Sequence, residues 1–342
     1  MSDTFDFTKL TSFEVFWRDH QKWLQERGYM LRSRYMPDWK ASWLSTKKPY
    51  YTCEDSEIPT FAAIMMDATR ISDGAYVTLK SIKPSIHPYE AEIGTYLSSE
   101  PLASDPKNHC VPIYEVLEVP DKEDTILLVM PLLRKYNRPP LQTFGESVDF
   151  FQQIFEGLQF MHNHHVAHRS VMSCIVLKIR LTPSHSDCMS VNIMMDGSMY
   201  PDGWHPCSDF TKRDYNDDVK HYTRTQRPPK YYLIDFGISR RYSPNDTSPS
   251  EYPILGGDKS VPEFRKSADK CNPYPTDVYY LGNMIRQDFM QVSVKSGFEF
   301  MDALIADMVQ DEPTKRPTMD QVVERFSRVR KDLTNSKLRA RI

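Results

Sequence analysis

Between Glu146 and His164 the residues Val148, Phe151, Ile154, Phe155, Leu158, Phe160 and Met161 recur at helical spacing, which predicts one long, largely buried helix. That helix divides the chain into two unlike parts. Before it, 61–69 (FAAIMMDAT) and 75–82 (AYVTLKSI) are short apolar and β-branched runs around the turn formers Ser72, Asp73 and Gly74, which predicts a hairpin. EAEIGTYLSS follows with a helical period, then VPIYEVLEV and TILLVMPLL, two strand-like runs around the charged turn 121–124. After it the chain is loop-rich and then helical again around 276–290, 298–310 and 317–333. The expectation is an α+β protein, strand-rich first and helical second.

The flanks are less regular. Residues 12–27 place Phe13, Phe16, Trp17 and Trp23 near helical spacing and stop at Gly28, which predicts an amphipathic helix. The aromatic stretch from Tyr29 to Tyr51 has no period and is expected to pack on the domain rather than to form a detachable arm. With 40% hydrophobic and 26% charged residues, the composition matches an ordinary folded, soluble chain. A formal charge of -3 offers no global attraction to nucleic acid or to an acidic membrane surface. The cysteines form no C-x-x-C pair, the first residues resemble no signal peptide, and no run is apolar enough to span a bilayer. These features predict a cytoplasmic or nuclear protein with no nucleic-acid or membrane partner; they do not address oligomeric state.

Several short elements fall in a fixed order. VTLK ends in Lys80; the next helix carries Glu90 and Glu92; LIDFG places Asp235, Phe236 and Gly237 after an apolar strand. Val261-Pro262-Glu263, DVYYLG from Asp277 to Gly282, and Arg316 follow. At the end of the long helix His168 and Arg169 are followed by Ser170, and no aspartate occurs until Asp187. Asp187 and Asn192 keep a D-x-x-x-x-N spacing, and removing 170–186 leaves HRDCMSVN. The segment 170–186 reads either as a surface excursion or, by preference, as translated intron sequence. Closing such a loop costs only about 2 to 3 kcal/mol, so folding tolerates it.

This ordered set resembles the eukaryotic protein kinase family, and more closely fungal kinase-domain proteins with a degenerate glycine loop, over roughly Phe61 to Arg330. The resemblance implies a two-lobed fold with a small β-rich N-lobe and a larger α-helical C-lobe. It divides the chain into an N-terminal extension (1–55), an N-lobe (56–133), a C-lobe (134–333) with insertions at 170–186 and about 198–230, and a basic tail (334–342). It implies an ATP- and Mg-dependent kinase acting on a protein substrate, at serine or threonine rather than tyrosine, with a pseudokinase scaffold as the alternative. Phosphoryl transfer needs cations on the phosphates, ligands for Mg and a group to orient the attacking hydroxyl.

By the resemblance, Lys80 contacts the phosphates and is held by Glu92, preferred over Glu90. Asp187 is the catalytic base, preceded by His168 and Arg169, and Asn192 and Asp235 hold Mg. Met130 is the gatekeeper, with the backbones of Pro131 and Leu133 facing adenine; Pro131 lacks an N–H but its carbonyl still accepts. Arg316 is expected to pair with Glu263. The departures are the absence of G-x-G-x-x-G before Lys80, and Met189 where serine/threonine kinases usually carry lysine. The basic and aromatic stretch between Asn192 and Asp235 is expected to be a solvated insertion rather than a docking surface. His162, His164, His165 and His168 are assigned to the helix end and the loop rather than to zinc.

Overall fold

The structure is a computed structural model and describes residues 6–170, 172–173, 190–254, 258, 260–266, 269–291 and 297–342. It is an α+β protein that divides into two compact units. Unit 1 comprises Met1–Ile86, Ile113–Arg134 and Asp196–Pro229; unit 2 comprises His87–Pro112, Lys135–Met195 and Lys230–Ile342. Among the described residues no helix is long and apolar enough to cross a membrane.

Unit 1 is built on an antiparallel sheet of β1 (Tyr29–Met30), β2 (Met65–Arg70), β3 (Tyr76–Ile82), β4 (Glu115–Glu118) and β5 (Ile126–Pro131), ordered β1-β2-β3-β5-β4. The expected hairpin is β2–β3, in which Lys80 lies opposite Met65, and β5 sets Leu128 against Lys80 on the other side. Along β3 the period-2 alternation buries Val77 and Leu79, while Lys80 belongs to the other face.

The N-terminal extension is part of this unit's core. Thr11 caps α1 (Ser12–Asp19) in a capping box with Glu14, and α2 (Gln21–Glu26) follows after His20. The single expected helix is therefore two. Trp17 and Leu24, both fully buried, pack with Tyr29, Leu31 and Tyr35 against Met66, Val77, Leu79, Leu127 and Val129. The indole of Trp17 donates to the carbonyl of Ala62 at 2.6 Å. Burying two such side chains contributes roughly 3 to 6 kcal/mol, so the extension is structural.

The segment 196–229 departs from expectation. Assigned by sequence to the second half as a solvated insertion, it belongs to unit 1 and buries Met199, Tyr200, Trp204, His205 and Arg224. Arg32, only 7% exposed, is the reason. Its Nε donates to both carboxylate oxygens of Asp67 at 3.1 Å, Nη1 donates to Glu54 at 3.0 Å, and Nη2 reaches the Cys207 sulfur at 3.4 Å. His205 bonds Glu54 at 3.1 Å, and the Tyr215 hydroxyl donates to Glu57 at 2.5 Å. A buried guanidinium must be paired, and these partners come from the extension, β2 and the insertion together.

Unit 2 is helical. Its helices include α3 (Glu90–Leu97), α4 (Phe144–Asn163), α5 (Pro262–Lys266), α6 (Pro273–Ile285), α7 (Asp302–Met308), α8 (Met319–Asp332) and α9 (Asn335–Arg339). The long helix expected from Glu146 to His164 is α4, begun two residues earlier because Thr143 caps it by accepting from the Glu146 N–H. Its apolar face meets Phe289, Phe298 and Phe326 in an aromatic core with Phe150, Phe151 and Phe155.

Residues 87–112, assigned by sequence to the N-lobe, fall in unit 2. The backbone of His109 to Val111 exchanges hydrogen bonds with Leu233, and the His109 ring bonds the Tyr231 carbonyl at 2.9 Å. The basic end of the chain also docks: Ile342 N–H donates to Gln142, and the Lys337 ammonium lies 3.9 Å from the Phe144 ring centre.

Candidate catalytic-loop site

Two strands place the site in unit 2. Ile193–Met195 pairs antiparallel with Tyr231–Leu233, Ile193 facing Leu233, so the next residues outward, Asn192 and Ile234, also meet. The Ile234 N–H donates to the Asn192 carbonyl at 3.0 Å, and Asp235 comes next, at φ +66°. Aspartate is among the few residues that enter this left-handed region, at a cost of about 1 to 3 kcal/mol that the surroundings must offset.

The loop after α4 is held from below by Asp277 of α6, which is fully buried. Its carboxylate accepts from the backbone N–H of His168 at 2.8 Å and of Arg169 at 2.6 Å, and bonds the His162 ring at 3.0 Å. Such charge-assisted bonds are about twice as strong as neutral ones, and they hold Arg169 at φ +65°. The Arg169 guanidinium donates to the carbonyls of Ile238 at 3.2 Å and Tyr252 at 2.8 Å, tying the segment after Asp235 to the loop.

His168 is buried, and its tautomer follows from its partners. Nε2 faces the Ile234 carbonyl at 3.1 Å and must donate, while Nδ1 faces the Ser170 N–H at 3.3 Å and must accept. Burial holds its pKa below the ordinary histidine value, against the opposing charges of Asp277 and Asp235, so the ring is neutral near pH 7. Phe236 lies edge-on to it at 5.8 Å, and the Ser239 hydroxyl donates to the His168 carbonyl at 2.9 Å.

Ser170, also buried, stands at the centre. The Asn192 Nδ2 donates to the Ser170 carbonyl at 2.7 Å and to its hydroxyl at 3.1 Å. The hydroxyl also lies 3.3 Å from both His168 Nδ1 and the Asp235 carbonyl. Met172–Ser173 pairs antiparallel with Ser190–Val191, and Ser170 and Asn192 flank this pair. In this register the residue after Arg169 that Asn192 holds is Ser170. Asp187, the expected base, and Met189 lie outside the described residues. The direct signal was simply Ser170 following His168 and Arg169 in the chain.

Glu92 is corrected. In α3 the buried positions Glu90, Ile93, Gly94 and Leu97 form one face, and Glu92 falls on the exposed side. Glu90 is the inward carboxylate: a methyl group at Gly237 would sit 3.1 Å from Glu90 Oε2 and 3.4 Å from Asp235 Oδ1. The His87 ring adds a bond of 3.2 Å to the Gly237 carbonyl.

Downstream, the implied pair of Arg316 and Glu263 is present and bidentate, at 2.8 and 2.6 Å. Burial pushes the Glu263 carboxyl up, but the bonds and charge of Arg316 outweigh it and hold the carboxyl below its ordinary value.

The structure thus brings His168, Arg169, Asn192 and Asp235 together around Ser170 within unit 2. Lys80, Met130, Pro131 and Leu133 belong to unit 1, where Met130 and Pro131 end β5 and Leu133 is buried. Among the described residues no cluster of three or more histidine, cysteine or acidic side chains forms a metal cage. Mg needs none, since it takes one or two protein oxygens beside phosphate and water. The nitrogen of the Asn192 amide is committed to Ser170, which leaves its oxygen as the atom that can bind a cation. The Asp235 carboxylate, like the Asn192 amide oxygen, is a hard oxygen donor of the kind Mg takes. No protein-family model and no curated protein matches the chain.

Proposed function

We propose that the chain is a protein-kinase-like protein of the two-lobed type that binds Mg-ATP, and that phosphoryl transfer is its reaction class. The observation that supports this most is the Asn192 amide bridging to Ser170 beside Asp235, in a loop anchored by Asp277. Asn192 and Asp235 would hold Mg, which when bound neutralises phosphate charge. Arg169 keeps the segment after Asp235 in place through its bonds to Ile238 and Tyr252. Lys80 and the backbones at Pro131 and Leu133 enter the same reading from unit 1, as phosphate and adenine contacts.

The proposed reaction moves the γ-phosphoryl group to a protein hydroxyl, serine or threonine before tyrosine, with Asp187 as base. A second reading, a nucleotide-binding scaffold with impaired transfer, is favoured by Ser170 standing directly after Arg169, since serine is a poor base. Transfer to an added protein mixture separates the two. Under the enzyme reading Asp187→Asn lowers the rate on the order of 100-fold, the usual scale for a lost general base. Undiminished transfer in that variant removes Asp187 from its role, and no transfer by the parent chain leaves the scaffold.

A further inference from the structure

The segment 196–229 grips the rest of unit 1 at two places that share one stretch of backbone. The first is Arg134, only 4% exposed. Its Nη2 donates to the Asp209 carbonyl at 3.0 Å; the Asp209 carboxylate lies farther off, at 3.4 Å, and is 41% exposed, so water screens that charge. Nε and Nη1 are buried with no hydrogen-bond partner among the described residues. What holds the guanidinium is instead the pair of rings of Tyr200 and Trp204, whose centres lie 4.4 and 5.3 Å from it. The second is Tyr76 of β3. The Arg213 guanidinium covers its ring at 4.1 Å while pairing with Asp67 at 3.3 Å. Gly203, at φ +68°, passes so close that a Cβ would sit 3.2 Å from the same ring.

Between these two grips runs the backbone proposed above as the adenine contact. The Leu132 N–H donates to the Tyr76 carbonyl at 3.2 Å. The Pro131–Leu132 peptide is trans, so committing its N–H to Tyr76 turns the Pro131 carbonyl the opposite way, and that carbonyl is the proposed acceptor for the adenine amino group. Leu133 stands between Leu132, tied to Tyr76, and Arg134, tied to Tyr200, Trp204 and Asp209. We infer, resting on the Mg-ATP reading above, that 196–229 is a clamp on this backbone, in which Arg134 and Tyr76 are positioning residues that make the site prefer adenine to guanine nucleotides. Adenine presents an amino donor where guanine presents a carbonyl oxygen, so an acceptor held in one orientation pairs with the first and repels the second. Hydrogen bonds weaken steeply with misalignment, so slack in this peptide costs the adenine contact first.

The test measures Kd for Mg-ATP and for Mg-GTP by calorimetry on the full chain and on Arg134→Met, which puts an apolar side chain of similar length in place of the buried charge, a change that buried sites usually tolerate. Gly197→Ala is the second variant, because Trp204 lies against Gly197 and an added methyl group would displace the ring without altering Arg134. The parent chain should bind Mg-ATP more tightly than Mg-GTP. Both variants should weaken Mg-ATP about tenfold, the scale of one well-placed hydrogen bond, and leave Mg-GTP within about twofold. Coupling is reciprocal, so in the parent chain Mg-ATP should also slow amide hydrogen exchange within 196–229, and this measurement decides the matter if the variants fail to fold. An unchanged ratio of the two affinities in the variants, or exchange slowed at 130–134 alone, overturns the clamp and leaves the nucleotide reading standing. A parent chain that binds neither nucleotide overturns both.

Discussion

Asn192 donates its side-chain amide to the carbonyl of Ser170 at 2.7 Å, although 21 residues separate the two in the chain. This bond fixes the loop register, because only the nitrogen of an amide can donate to a carbonyl. Replacing Asn192 by Asp keeps two oxygens for a cation and removes the donor, and replacing it by Ala removes both. Each variant removes a donor from a buried carbonyl, so each is expected to lose about 1 to 3 kcal/mol in a urea titration. Only Asn192→Ala should also lose the Mg dependence of nucleotide binding outright.

The Arg316–Glu263 pair is nearly buried, with the guanidinium fully enclosed. Removing one partner strands the other charge, which typically costs about 3 to 5 kcal/mol. Arg316→Ala should therefore lower the unfolding midpoint strongly, while the double replacement Arg316→Met with Glu263→Gln should recover much of the loss. Equal losses in the single and double variants would mean that the pair does not act as a unit.

Glu54 gives unit 1 an acid sensitivity. Burial pushes its carboxyl up, but bonding to His205 and the charge of Arg32 outweigh this and lower its pKa to about 2. A carboxyl depressed in the folded state contributes stability that is complete above its unfolded pKa of roughly 4.3 and is lost as pH falls toward the folded value. The contribution is on the order of 3 kcal/mol. Glu54→Gln should lower stability at pH 7 and flatten the decline between about pH 4 and pH 2, as read from urea midpoints across that range.

Gly237 leaves little room for a side chain. A Cβ would meet His87 Nδ1 at 3.0 Å, Glu90 Oε2 at 3.1 Å and Asp235 Oδ1 at 3.4 Å. Gly237→Ala is expected to cost about 1 to 3 kcal/mol as His87 and Glu90 give way, and to weaken Mg-nucleotide binding where that movement carries into Asp235, which the new methyl would meet at ordinary contact distance. An unchanged affinity would show that Asp235 tolerates the shift.

The legible parts of the sequence were local. Asp235 could be read because an apolar strand ends just before it, and the long helix because its apolar period from Val148 to Met161 runs over about four turns. The side of α3 that faces inward was not legible: Glu90 and Glu92 differ only in phase, and the phase is set by packing rather than by propensity. Arg32 gave no signal, since Asp67, Glu54 and Cys207, which pair with it, lie far along the chain and converge only in the fold. At Ser170 the expectation gave weight to a spacing restored by deletion; Asp187 lies outside the described residues, and the residue that Asn192 bonds is the one beside Arg169.

The most direct measurement is the thermal unfolding midpoint titrated with ATP, with and without Mg, for the parent chain and for Asp235→Asn. Binding to the folded state should raise stability as RT ln(1 + [L]/Kd), about 2.7 kcal/mol at a hundredfold excess over Kd, only with Mg and only in the parent chain. A midpoint that never moves, or that moves equally in Asp235→Asn, would contradict the account.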